Sequence, residues 1–237
     1  MEKKYKLTEE TINVNGRTLY RIEALKDFND VKKGDKGGFI ENENNLSQNG
    51  NCWAYDDAMV YGSARVYDNA KVYDYAKVYD YAKVYGNASI YGDAKVYSNA
   101  KVYGNAEVYG NAWVFGNAKV YANAVVRDNA EVRENAHVYD DAEVYGNALV
   151  FGNANVHGNA KVYGNARVFG NARVFDNGEV FGNAKVYHYG YVCGKARICG
   201  DAKIRRLNDY IVFQNWWGSG RCCTLTKSNL RVVSMEQ

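Results

Sequence analysis

The chain has 237 residues, 47% of them apolar and 24% charged, with no proline, 23 glycines and 22 tyrosines. Its 30 basic and 27 acidic residues nearly cancel to +3, so a whole-molecule attraction to nucleic acid is weak, and any such affinity must come from local charge placement. The five cysteines include no CxxC pair, which argues against a zinc or thioredoxin-like site and for free thiols in a reducing compartment.

The opening Met1-Glu2-Lys3-Lys4-Tyr5 is charged and leads into no apolar run. No signal peptide or membrane span is expected, and a cytoplasmic location follows. Thr11–Val14 and Arg17–Ile22 flank Asn15-Gly16, a strong two-residue hairpin signal. Residues 27–57 read as irregular and turn-rich. Leu46 and Cys52 stand twelve and six residues before Ala58, so imperfect coils start a register that the next segment perfects. Residues 1–57 are therefore expected to be a hairpin plus capping coils.

Residues 58–204 repeat a six-residue phrase, typified by Ala100-Lys101-Val102-Tyr103-Gly104-Asn105. From Val60 to Ile204 an aliphatic residue recurs 25 times at every sixth position, with no insertion or deletion. A fixed short period dictates a solenoid. Alternation along a strand sends Ala and Val inward and the residues following each of them outward. Gly-Asn then turns a corner: Gly tolerates positive φ, and Asn is the next-best residue for it. Three hexads would make one coil of 18 residues. The 25 hexads give about eight coils, a prism roughly 40 Å long at ~4.8 Å per coil.

Asp27-Phe28-Asn29-Asp30-Val31-Lys32, Gly37-Gly38, Asn45-Leu46-Ser47-Gln48, Cys52-Trp53 and Tyr55-Asp56 resemble the opening segment of the YdcK-like hexapeptide-repeat proteins. The resemblance implies a single-stranded, all-β, left-handed triangular parallel β-helix. Hand comes from the resemblance, because period alone fixes none. It also implies an acyl-CoA-dependent acyltransferase, with a His as general base and acetyl-CoA as cosubstrate. Fold by itself confers no function.

Residues 205–237 lose the register. Tyr210–Phe213, Cys223–Thr226 and Leu230–Val233 read as three strands of a β-meander over the last coil, with Trp216-Trp217 in its core.

With three hexads per coil, the outward residues sort into three faces. On the first, Trp113, Phe115, Leu149, Phe151 and Phe169 form an apolar band, a candidate interface for a homo-oligomer. On the second, Arg65, Lys83, Lys101, Lys119 and Arg173 run beside Tyr85, Tyr103 and Tyr121, with no acid on either track. That pattern suits an anionic ligand, a nucleotide or single-stranded nucleic acid. The third face mixes charges such as Glu143 and Lys161, and reads as solvated.

Among three histidines, His137 and His157 share the second face and are the candidate bases for an acyltransferase. The unbroken repeat offers no loop to cover an acyl-CoA groove. No phosphate loop, catalytic triad or metal-ligand cluster stands out. The leading expectation is a non-catalytic scaffold for self-association or ligand binding, without a cofactor. The alternatives are the acyltransferase and a nucleotide or nucleic-acid binder.

Overall fold

A computed structural model describes residues 2–214 and 222–226. Strands β1 (Tyr5–Val14) and β2 (Arg17–Ala24) pair antiparallel around Asn15 and Gly16, whose φ angles of 53° and 81° are those of the expected hairpin turn. Strand β3 (Lys36–Ile40) pairs antiparallel with β2 and parallel with Met59–Val60. It thereby joins the hairpin to the repeat.

This third strand corrects the reading of 27–57 as irregular. Gly37 and Gly38 are poor strand formers, which hid it. Close packing requires them: a Cβ at Gly37 would sit 2.5 Å from the Ala54 carbonyl oxygen, and one at Gly38 would collide with the carbonyl of Ala58.

From Trp53–Ala54 onward each hexad is a two-residue strand and a turn. Every strand pairs in parallel with the one 18 residues later, as Lys101 does with Lys119. The result is an all-β parallel solenoid with three sheets, of twelve strands including β1–β3, of nine, and of eight. Nine stacked strands in one sheet mean about nine turns rather than eight. The difference arises because the register already runs at Trp53, and Leu46 bridges to Val66 before that.

The inward Ala and Val side chains are buried along the whole repeat, and Leu46 and Cys52 are buried in the same core, Leu46 opposite Val66 rather than in the small slot expected for it. Each such Val contributes on the order of 1.5–3 kcal/mol. Backbone bonds run from coil to coil: Lys101 N donates to Ala118 O at 2.9 Å, Tyr103 N to Val120 O at 3.0 Å and Asn105 N to Ala122 O at 2.7 Å.

The corner chemistry differs from the expected division of labour. Positive φ falls on the first corner residue alone, and where that is not Gly it is most often Asp, as at Asp68, Asp128 and Asp140. The carboxylate accepts from the backbone N–H of the next coil's corner, Asp128 from Gly146 at 3.0 Å for instance. The following Asn instead builds amide ladders. Asn51, Asn69, Asn87, Asn105 and Asn123 each donate to the side chain one coil on, ending at Asp141. Asp can only accept, so a ladder running in this direction stops there.

The N-terminal segment is tied to the first coil by buried polar contacts. Tyr5 Oη donates to Leu46 O at 2.6 Å, Lys4 Nζ to Cys52 O at 2.8 Å, and Asn45 Nδ2 to Gly62 O at 3.0 Å and Ala64 O at 2.9 Å. Asn45 thus supplies donors where no earlier coil exists to do so. Trp53 faces outward by register yet is buried, packed edge-on against Tyr5 and Phe28.

At the other end Tyr210–Gln214 pairs antiparallel with Cys222–Thr226, and Tyr210 Oη accepts from Cys193 N at 3.2 Å. The expected strand at Leu230–Val233 and the Trp216-Trp217 pair lie outside the described residues. Among the described residues no helix is long and apolar enough to cross a membrane.

Candidate ligand-binding face

The eight-stranded sheet is the second face. It carries Arg65, Lys83, Lys101, Lys119, His137, Asn155, Arg173 and Tyr191 on adjacent rungs. The first four place like charges directly opposite one another, which destabilises a β-ladder. Each such contact costs about 1 kcal/mol in water before salt screening. No ion pair relieves them among the described residues, and Arg65 and Lys83 are exposed. Between Asp80 and Glu134 no acid lies on this face or on its two corners.

Two residues along each strand stand the rings. Tyr67, Tyr85, Tyr103, Tyr121, Tyr139, His157 and Phe175 form one continuous stack, with centroids 4.8–4.9 Å apart down to Tyr139, then 4.7 Å and 5.3 Å on either side of His157. The column runs unbroken because β-solenoid rungs lie at the stacking distance of aromatic rings. Burial against stacked neighbours pushes the Tyr121 hydroxyl up to about 12, with Tyr103 and Tyr139 adding to it. The hydroxyls therefore remain protonated donors beside the row of cations. Stacking also occupies the ring faces, so the column presents edges and hydroxyls outward.

His157 is a rung of this stack. Its Nδ1 lies 3.8 Å from Asp140 Oδ2, too long for a hydrogen bond. Burial lowers its pKa against the pull of Asp140 and Asp176. His137 meets Tyr121 edge-on, and burial together with Lys119 lowers its pKa. Among the described residues no group of three His, Cys, Asp or Glu side chains could hold a metal ion.

On the first face the apolar residues do not form one continuous surface. Phe115 ends a stack with Tyr97, and Phe151, Phe169 and Tyr187 form another. Between them Arg133 lies 4.5 Å over the Phe151 ring, and its guanidinium pairs with Glu131 at 3.7 Å and Glu134 at 3.2 Å. Trp113 is 37% exposed, with Lys95 Nζ 4.6 Å from its ring centre. Leu149 is half-buried. On the third face Glu143 bonds Lys161 at 2.8 Å and Glu179 bonds Arg197 at 3.0 Å, so opposite charges there are matched along the ladder.

The YdcK β-solenoid repeat profile matches residues 142–158 and 160–176. Those two stretches are similar to YdcK-type β-solenoid repeats. The chain is also 50% identical over 42 residues to a protein of Escherichia coli (strain K12) described as "Uncharacterized acetyltransferase YdcK". That match covers 18% of this chain and 13% of the relative's length. The profile falls in the middle and later coils, where the YdcK-type hexads carry Glu143, Leu149, Asn155 and His157 in outward slots.

Sequence reasoning placed the cations and tyrosines correctly on one face. It missed that the rings stack on one another. The signal was available: aromatic residues at an 18-residue spacing must meet once three hexads close a coil.

Proposed function

We propose that the protein is a non-catalytic β-solenoid scaffold that binds an extended anionic partner along its second face. The observation that carries this is the row Arg65, Lys83, Lys101 and Lys119, which stacks like charges with no ion pair to any of them among the described residues. The third face, built from the same hexads, matches its charges instead. A repulsive row retained beside donor hydroxyls fits a surface completed by a bound anion. Because neighbouring rings use each other's faces, the partner is held along the column by charge and hydrogen bonds rather than by stacked bases. Polyphosphate is a suitable probe. The intact chain should bind it, and a Lys83→Glu, Lys101→Glu, Lys119→Glu variant should not; equal binding by both removes the proposal. Free cysteines at Cys52, Cys193 and Cys199 support a reducing, cytoplasmic setting.

An acyl-CoA-dependent transferase is the second reading, favoured by the acetyltransferase description of the Escherichia coli relative and by the His157–Asp140 approach. Calorimetry with acetyl-CoA tests it. Affinity that disappears in His157→Phe, which keeps the ring stack, would replace the scaffold reading.

A further inference from the structure

A ring inside the stack has both faces covered, so a free face exists only where a stack ends. The first stack on each of the three faces begins at Tyr55, Tyr61 or Tyr67, and the N-terminal segment treats these ends differently. Tyr61 is 6% exposed, packed with Leu19 and Phe39 from the hairpin sheet. Tyr55 donates its hydroxyl to Asp30 at 2.8 Å, and Lys71, itself bonded to Asp30 at 2.9 Å, lies 5.6 Å from its ring centre. Tyr67 is left open. Leu46 bridges Val66 and Ser47 N donates to Val66 O, so the residue one coil earlier in its column is Ser47 and no ring lies on that side, while Tyr85 covers the other face.

The open end of Tyr67 faces a groove of about 410 Å³, within the size range of small-molecule sites. Arg65 and Lys83 form one wall, and the 3-10 turn Glu43–Asn45 with Ser47 closes the end. The groove therefore combines an aromatic platform, two cations without ion-pair partners among the described residues, and a rim of a carboxylate, an amide and a hydroxyl. Each matches a different part of one ligand class. A planar base suits the ring, phosphates suit Arg65 and Lys83, and polar base edges or ribose hydroxyls suit Glu43, Asn44 and Ser47. We propose that this groove is a nucleoside phosphate site, with the base stacked on Tyr67 and the phosphates held by Arg65 and Lys83. It rests on the anion-binding reading through those two cations and adds a place, at the N-terminal end of this face's stack, where a base can stack.

Calorimetry on the full chain with ATP, and with base-free inorganic triphosphate, tests it. ATP should bind, triphosphate should bind at least about tenfold more weakly, and Tyr67→Ala should weaken ATP by about tenfold or more. Tyr67→Phe should stay within about twofold of the parent, because stacking needs the ring and not the hydroxyl. Tyr163→Ala, inside a stack on the third face, should leave ATP binding unchanged. Arg65→Glu, an exposed change that spares the stack, should abolish it. Triphosphate binding as tight as ATP, or ATP binding indifferent to Tyr67→Ala, overturns the site. The two proposals fail separately. Polyphosphate binding lost in the triple Glu variant, without any ATP binding, sinks this site alone. Tyr67-dependent ATP binding, with polyphosphate still held by the triple variant, sinks the extended surface alone.

Discussion

Lys101 stands directly between Lys83 and Lys119, so Lys101→Glu turns two like-charge rung contacts into two opposite-charge ones. Cross-strand charge pairs are worth roughly 0.2–1 kcal/mol each, and like charges oppose by similar amounts. Relieving two repulsions and gaining two attractions should therefore stabilise the chain by about 1–2 kcal/mol at low ionic strength. A chain of this size shifts by about 2–4 °C per kcal/mol. The gain should shrink as salt screens exposed charges. Thermal melts followed by circular dichroism at low and high salt, with Lys101→Arg as control, give the readout. The same variant should bind polyphosphate more weakly. Stability and binding moving in opposite directions is what a functional charge row requires. A melting temperature that is unchanged or lower at low salt would refute the reasoning, since it would mean that the row carries no repulsion.

Ala122 holds a left-handed corner with φ of 59°, where its neighbour one coil earlier is Gly104. Ala122→Gly should raise stability by about 0.5–1 kcal/mol, measured by denaturant unfolding, because Gly relieves the Cβ strain. His157 has a pKa held below its ordinary value of 6.5 by burial, despite Asp140 and Asp176. The unfolded chain thus takes up its proton first, and the stability this histidine confers is full above pH 6.5 and lost as pH falls through the lowered folded value. His157→Phe should flatten that part of the pH profile while keeping the stack; an unaltered profile would show that His157 is not the titrating group. If the first face mediates self-association, Leu149→Glu with Phe151→Glu should reduce the light-scattering mass to that of one chain. A parent that is already a single chain rules the interface out.

The core was legible because Ala and Val recur at a strict period and strand alternation sends both inward. The sorting of Lys101 and Tyr103 onto one face followed from the same arithmetic. What sequence did not disclose came from contacts outside the period. β3 was hidden by Gly37 and Gly38, which serve close packing against Ala54 and Ala58. Trp53, outward by register, is buried because Tyr5 and Phe28 arrive from elsewhere in the chain. The apolar reading of the first face missed that Arg133 would lie over Phe151 and gather Glu131 and Glu134, dividing the band. The Tyr67 groove was invisible because it depends on which stack ends the N-terminal segment covers.

The salt dependence of polyphosphate binding tests the central proposal most directly. Four phosphate contacts, from Arg65, Lys83, Lys101 and Lys119, predict that log K falls against log salt with a slope of about −3, by analogy with single-stranded nucleic acid. Neutralising Lys101 alone should make the slope shallower by close to one contact's share. A salt-independent affinity, or a slope that Lys101→Ala leaves unchanged, would contradict capture by this row.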